Sequence, residues 1–218
     1  MSYQASLPGA RSVPKARGNP RPSPNLSKEP RSESNTMPQI VEEVYYEGAK
    51  GRIERLGLTP LIDEIRSAVT GFPLLVKEQV DANGGAAARK LIDEQFDKLG
   101  GWTKKVSGDI DWMKCRTIEG TRVCVGVEVR VSAGSSLLMV DMLRLSSAFR
   151  DGRIDVGIVV VPSDKLSRFL TDRGPCMSDA KKHAHAARLE DSSLVLFAIE
   201  HDGPGPPLAK QAKRTPGT

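Results

Sequence analysis

The chain has 218 residues, 39% of them hydrophobic, and a formal net charge of +5, enough for one domain with a sizeable core. No apolar run approaches the roughly 20 residues needed to cross a bilayer, and the amino terminus lacks the apolar core of a secretion signal, so the reading is a soluble, cytoplasmic protein with no membrane partner. The basic balance favours a polyanionic partner, nucleic acid before an anionic membrane, although a charge that only aids solubility fits it as well.

Residues 1–37 are rich in Pro, Ser, Arg, Lys and Asn, with little to bury. They read as a disordered basic tail able to touch DNA phosphates. A folded domain is expected over 38–202, with a second disordered tail over 203–218. A short polar–apolar stretch runs from Pro38 to Glu47. Ile53, Leu56, Leu58, Leu61, Ile62, Ile65 and Val69 then recur at helical spacing, up to Gly71-Phe72-Pro73. Leu74 to Val80 reads as a further helical turn or a connector. Asn83-Gly84-Gly85 breaks the chain. Ala88, Leu91, Ile92, Phe96 and Leu99 mark the next helix, stopped by Gly100-Gly101, with Glu94 and Asp97 off the stripe.

From Trp102 the period changes. Asp109 to Met113 alternates polar and apolar, and Val123 to Val131 has a valine at every second position, a strand pattern. Glu119-Gly120, within Ile118 to Thr121, reads as a turn that makes the two runs an antiparallel pair. A helix follows from Ser135 or Ser136, with Leu138, Met142, Leu145 and Phe149 buried and Asp151-Gly152 as its end. Ile154 to Val161, closed by Pro162, reads as a strand buried on both faces. A short helix over Lys165 to Leu170, a polar helix over Ser178 to Leu189 and a strand over Leu194 to Ile199 complete the order. The predicted fold is a single α/β domain, a mixed central sheet flanked by helices on both faces. A crossover places the Glu128 strand beside the Ile154 strand.

Glu128 and Arg130 are two apart on a strand and share a face, with the valines on the other. Asp111 lies on the neighbouring run, so its carboxylate can approach that of Glu128. Two such carboxylates repel unless something positive sits between them, and Mg2+ is commonly bound through one or two carboxylates plus substrate phosphate. The same alternation also fits a half-exposed sheet on which Asp111, Glu128 and Arg130 are solvated charges. Asp109 shares the face of Asp111 but reads as a turn residue, and Asp155 as the partner of an arginine. His183 and His185 do not share a helical face, so no metal site is read there. Cys115, Cys124 and Cys176 show no metal spacing and read as reduced thiols, Cys124 as a small buried sheet residue. Ser163, Ser192 and Cys176 lack the partners of a catalytic nucleophile.

Ile110-Asp111-Trp112, then Val125-Gly126-Val127-Glu128-Val129-Arg130, a helix, and Ile154-Asp155-Val156-Gly157 up to Pro162 resemble the core of BglII-like restriction endonucleases, within the PD-(D/E)xK nuclease superfamily. The resemblance implies cleavage of duplex DNA with Mg2+, by a homodimer, at a short palindrome. It implies that Asp111 and Glu128 are the catalytic metal ligands and that Arg130 fills the third position, usually Lys in the superfamily and Gln or Glu in the BglII and BamHI branch. The helix carrying Glu94 is similar to one that often supplies a further acidic residue. Arginine is permanently charged and no general base, but it can bind a phosphate oxygen; pairing with Glu128 is its other option. A catalytically impaired DNA-binding protein of this fold, a repair-type nuclease and an interaction protein without a metal site are the alternative readings.

Overall fold

The register of one hairpin sets the geometry of everything that follows. In the computed structural model, which describes residues 37–46, 48–104, 109–132, 134–171 and 174–210, β4 (Trp112–Ile118) and β5 (Thr121–Val129) pair antiparallel around Glu119 and Gly120. Both turn residues have positive φ, 51° and 80°, the signature of a two-residue turn whose twist matches its strands. The turn fixes Ile118 opposite Thr121 and, at the far end, Trp112 opposite Val127. One step further the same register brings Asp111 level with Glu128.

The hairpin belongs to a six-stranded sheet. Its other strands are β1 (Gln39–Tyr45), β3 (Thr103–Lys104), β6 (Val156–Pro162) and β7 (Leu194–Glu200), in the order β1-β7-β6-β5-β4-β3. As expected, β5 and β6 are neighbours, and they run parallel with Glu128 opposite Val159. β6 and β7 are also parallel, whereas β1 adds antiparallel to β7 with a register shift between Ile40 and Glu42. The helices α1 (Ala49–Arg55), α2 (Thr59–Thr70) and α3 (Gly85–Leu99) pack with Val123, Val125, Val127 and Val129 in one core. On the other face α4 (Ser135–Arg150) and α6 (Met177–Ala186) pack with Cys124, Val159, Val161 and Leu196 in a second core. The mixed α/β architecture is as predicted. The half-exposed sheet is not observed, because β5 is buried on both faces from Val123 onward.

Several boundaries are corrected. The helical run over 53–69 is two helices, broken at Gly57, whose φ is 61°. Residues 75–76 form a strand, β2 (Leu75–Val76). The carboxy-terminal tail expected from 203 is ordered over its first part: β8 (Gly203–Pro204) pairs parallel with β2, and the Leu208 carbonyl accepts from the Gly84 amide. The helix expected over 165–170 is the short α5 (Asp164–Ser167), capped by the Ser163 hydroxyl. The polar helix ends at Ala186, and a single 3-10 turn covers Leu189–Asp191. The reduced pair of cysteines is also corrected: Cys115 and Cys124, opposite each other in the hairpin, form a disulfide. Apart from Met37, the expected amino-terminal tail lies outside the described residues, as do 211–218.

The start of α3 is fixed by close packing. A Cβ at Gly85 would lie 2.3 Å from the Val131 carbonyl oxygen, so only glycine lets the helix start against the chain leaving β5. Asn83, fully buried, ties the preceding loop together. Its Oδ1 accepts from the Lys77 and Leu208 amides and its Nδ2 donates to the Lys77 and Phe169 carbonyls. α3 is thereby held with its first turn at the end of β5 that carries Glu128.

Candidate active site

Four elements converge at the carboxy-terminal end of β5. Asp111 immediately precedes β4. Its Oδ2 accepts from the Val129 amide at 3.0 Å and from Arg89 Nη1, on α3, at 2.8 Å. Arg89 also donates to the Val129 carbonyl, and through Nε to Asp93, one turn along the helix. Trp112 Nε1 donates to the same Asp93 oxygen, so Arg89 is locked from both sides. Burial pushes the Asp111 carboxyl up, but Arg89 and the Val129 amide outweigh it and hold Asp111 below the usual carboxylate range. Asp111 is therefore an anion at neutral pH.

Glu128 is its opposite. It is 0% exposed. Its Oε1 accepts from Arg144 Nη1, on α4, at 2.9 Å, while its Oε2 is buried with no hydrogen-bond partner. Burial, then the negative charges of Asp111 and Asp141, push its carboxyl up to about 8, and the hydrogen bond it can donate to Asp111 once protonated favours that form further. Two neighbouring carboxylates, one buried and one half-buried, require either a proton or a cation between them.

Arg130, directly after β5, pairs with Asp141 of α4 and not with Glu128. Asp141 is 2% exposed, and its other oxygen accepts from Arg144 Nη1 at 3.1 Å. Burial raises the Asp141 carboxyl against the pull of the two arginines. Arg144 bridges Glu128 and Asp141, and Asp141 holds Arg130, so the four side chains form one continuous chain of contacts.

The three residues singled out in the sequence, Asp111, Glu128 and Arg130, are brought together. Glu94 is not part of the site: it pairs with Lys90 on the exposed face of α3, and that helix contributes Arg89 instead. Asp109 pairs with Arg153. Asp155 accepts from the Cys124 amide and pairs with Arg52, as its position suggested. Burial pushes the Cys176 thiol up to about 11. Arg89, Asp141 and Arg144 escaped sequence reasoning; the one signal was that Asp141 and Arg144, three apart, flank the buried stripe of Leu138, Met142 and Leu145.

The donor set can be tested against a divalent ion. Among the described residues no three or more His, Cys, Asp or Glu side chains are grouped to hold a metal by themselves. Two facing carboxylates, one with a buried oxygen lacking any donor, fit an ion that takes one or two protein carboxylates and completes its shell with water and phosphate. Among the described residues no helix is long and apolar enough to cross a membrane.

A comparison with curated proteins finds no match. A family model, Restriction endonuclease BglII/BglIII, matches residues 43–202, a span that contains the whole sheet from Glu43 of β1 onward and every residue of the site. The chain belongs to the BglII family of type II restriction endonucleases, hydrolases that bind and cut double-stranded DNA and as a family use divalent metal ions.

Proposed function

We propose that this endonuclease is Mg2+-dependent, cuts duplex DNA at a short specific site, and works as a homodimer, with Asp111 and Glu128 as the metal ligands and Arg130 at the phosphate. The observation that carries the proposal is the buried Glu128 carboxyl, whose Oε2 has no donor and which lies within the field of the Asp111 anion. An ion bound there supplies Lewis acidity, polarising the phosphodiester and making water a better nucleophile near neutral pH.

The residues themselves do the positioning. Arg89 and the Val129 amide hold Asp111 deprotonated and fixed in direction. Glu128 gives up its proton to become a ligand, which couples binding to pH. Arg130 cannot take a proton from water. Its fork is aimed by Asp141, and it can donate to a phosphate oxygen and offset charge that grows on the phosphate in the transition state.

The outward face of α4 supports a second copy of the chain as partner. Leu137, Val140 and Leu143 are each at least 40% exposed and spaced three apart, so they form one stripe where a surface helix would ordinarily be polar. A two-fold interface buries such a stripe against itself.

The test is incubation of mixed-sequence duplex DNA with the purified protein. Discrete fragments with Mg2+, and none with a chelator, are expected. Intact DNA across salt and Mg2+ conditions, or a smear of random lengths, contradicts the proposal. Sedimentation should give a dimer that Val140→Asp splits; a wild-type monomer contradicts the homodimer.

A further inference from the structure

A cation already sits on Glu128, and it comes from the protein. Arg144 Nη1 lies 2.9 Å from Glu128 Oε1 and 3.1 Å from Asp141 Oδ1. Both carboxylates are buried, 0% and 2% exposed, whereas the Arg144 side chain is 26% exposed. Asp141 in turn holds Arg130 on its second oxygen. Arg144 is therefore shared between two acids, of which Glu128 is the proposed metal ligand.

We propose that Arg144 is a resident counter-ion that competes with the divalent metal for Glu128, and that Asp141 is the positioning residue that draws it off. The inference rests on Asp111 and Glu128 being the metal ligands. Without a metal, Arg144 offsets part of the cost of a buried carboxyl at Glu128. A divalent ion arriving between Asp111 and Glu128 meets the repulsion of a guanidinium within hydrogen-bonding distance of one ligand. Asp141, the i−3 neighbour of Arg144 on the same helix, offers the guanidinium another partner as Glu128 turns to the metal. Arg144 then stands with Arg130 on one carboxylate, two guanidinium forks suited to a phosphate. The arrangement leaves the metal weakly held until DNA phosphates add negative charge, which ties metal occupancy to DNA.

The two residues predict effects of opposite sign, which a purely structural role does not. Mn2+ binding, counted by electron paramagnetic resonance at about pH 8 without DNA, is the readout. Arg144→Met should bind Mn2+ about tenfold more tightly than wild type. Asp141→Asn should bind it more weakly, because Arg144 then rests on Glu128 alone. The double variant should behave like Arg144→Met. Asp111→Asn added to Arg144→Met should remove the gain. Arg144→Gln, which keeps a donor to Glu128 without the charge, should also tighten binding and serves if the Met variant does not fold. Equal or weaker binding by both Arg144 variants, with wild type binding, overturns the inference and leaves the metal ligands standing. A double variant as weak as Asp141→Asn makes Asp141 a ligand and overturns its positioning role. No Mn2+ bound by any of the proteins overturns the inference and the metal reading together.

Discussion

Arg89 and Asp111 are joined at 2.8 Å between α3 and the start of β4, and the same Asp111 oxygen takes the Val129 amide. The pair does two things at once. It clamps a helix to the sheet end, and it fixes the charge of the carboxylate that faces Glu128.

Breaking it should therefore register in stability as well as in the site. Arg89→Met leaves Asp111 partly buried without its cation, a loss of about 2–3 kcal/mol after allowance for its partial exposure. Asp111 has a lowered folded pKa, so its contribution is fully present above the unfolded value and is lost as pH falls through the folded one. Urea unfolding should show Arg89→Met closest to wild type at strongly acid pH and furthest from it at neutral pH. A constant gap at all pH values contradicts the assignment.

Glu128 acts with the opposite sign. Its folded carboxyl stands at about 8 against an ordinary value of 4.5. Between those values the folded state keeps a proton that the unfolded chain releases. Stability of the metal-free protein should fall as pH rises through that window and level off above it, by an amount on the order of 3–5 kcal/mol. Glu128→Gln, neutral throughout, should be the more stable protein at about pH 8 in chelator, with a flatter profile; Asp141, also raised, leaves some slope. Mg2+ should stabilise wild type and not the variant. Parallel profiles for the two proteins contradict the shift.

Much of the site was legible because one turn carries the information. Glu119-Gly120 demands a two-residue connection, and that alone sets Cys115 opposite Cys124 and Asp111 level with Glu128. The alternation of valines correctly indicated the strand but not its surroundings. An alternating strand can face water or a second layer, and only the packing of α4 decides that Glu128 is buried. Arg89, Asp141 and Arg144 lie on helices whose approach to the sheet is set by tertiary contacts, so no spacing relates them to β5. β1 was missed because its bulge between Ile40 and Glu42 breaks the period of two. β8 was missed because two residues ending in proline carry no periodicity.

The disulfide of the hairpin closes a short loop already held by the turn. Its removal by Cys115→Ser with Cys124→Ser should cost about 1–2.5 kcal/mol, below the entropic limit for a loop of this length. Thiol titration of the denatured, unreduced protein should count one thiol, that of Cys176. Three thiols would contradict the pairing.

Asn83 offers a test remote from the charges. Asn83→Ala removes two donor and two acceptor contacts to part-buried backbone groups of three segments, a loss of about 3 kcal/mol. Hydrogen exchange should accelerate first at the Lys77 and Leu208 amides. Unchanged exchange there contradicts its role as the tie for the start of α3.

The most direct measurement for the central claim is Mg2+-dependent cleavage by Glu128→Ala compared with wild type on the same DNA. Wild type should yield discrete fragments. The variant should bind the DNA and leave it intact, with cleavage lowered by at least about a thousandfold. Cleavage by Glu128→Ala at a rate near that of wild type would contradict the assignment of the site at the end of β5.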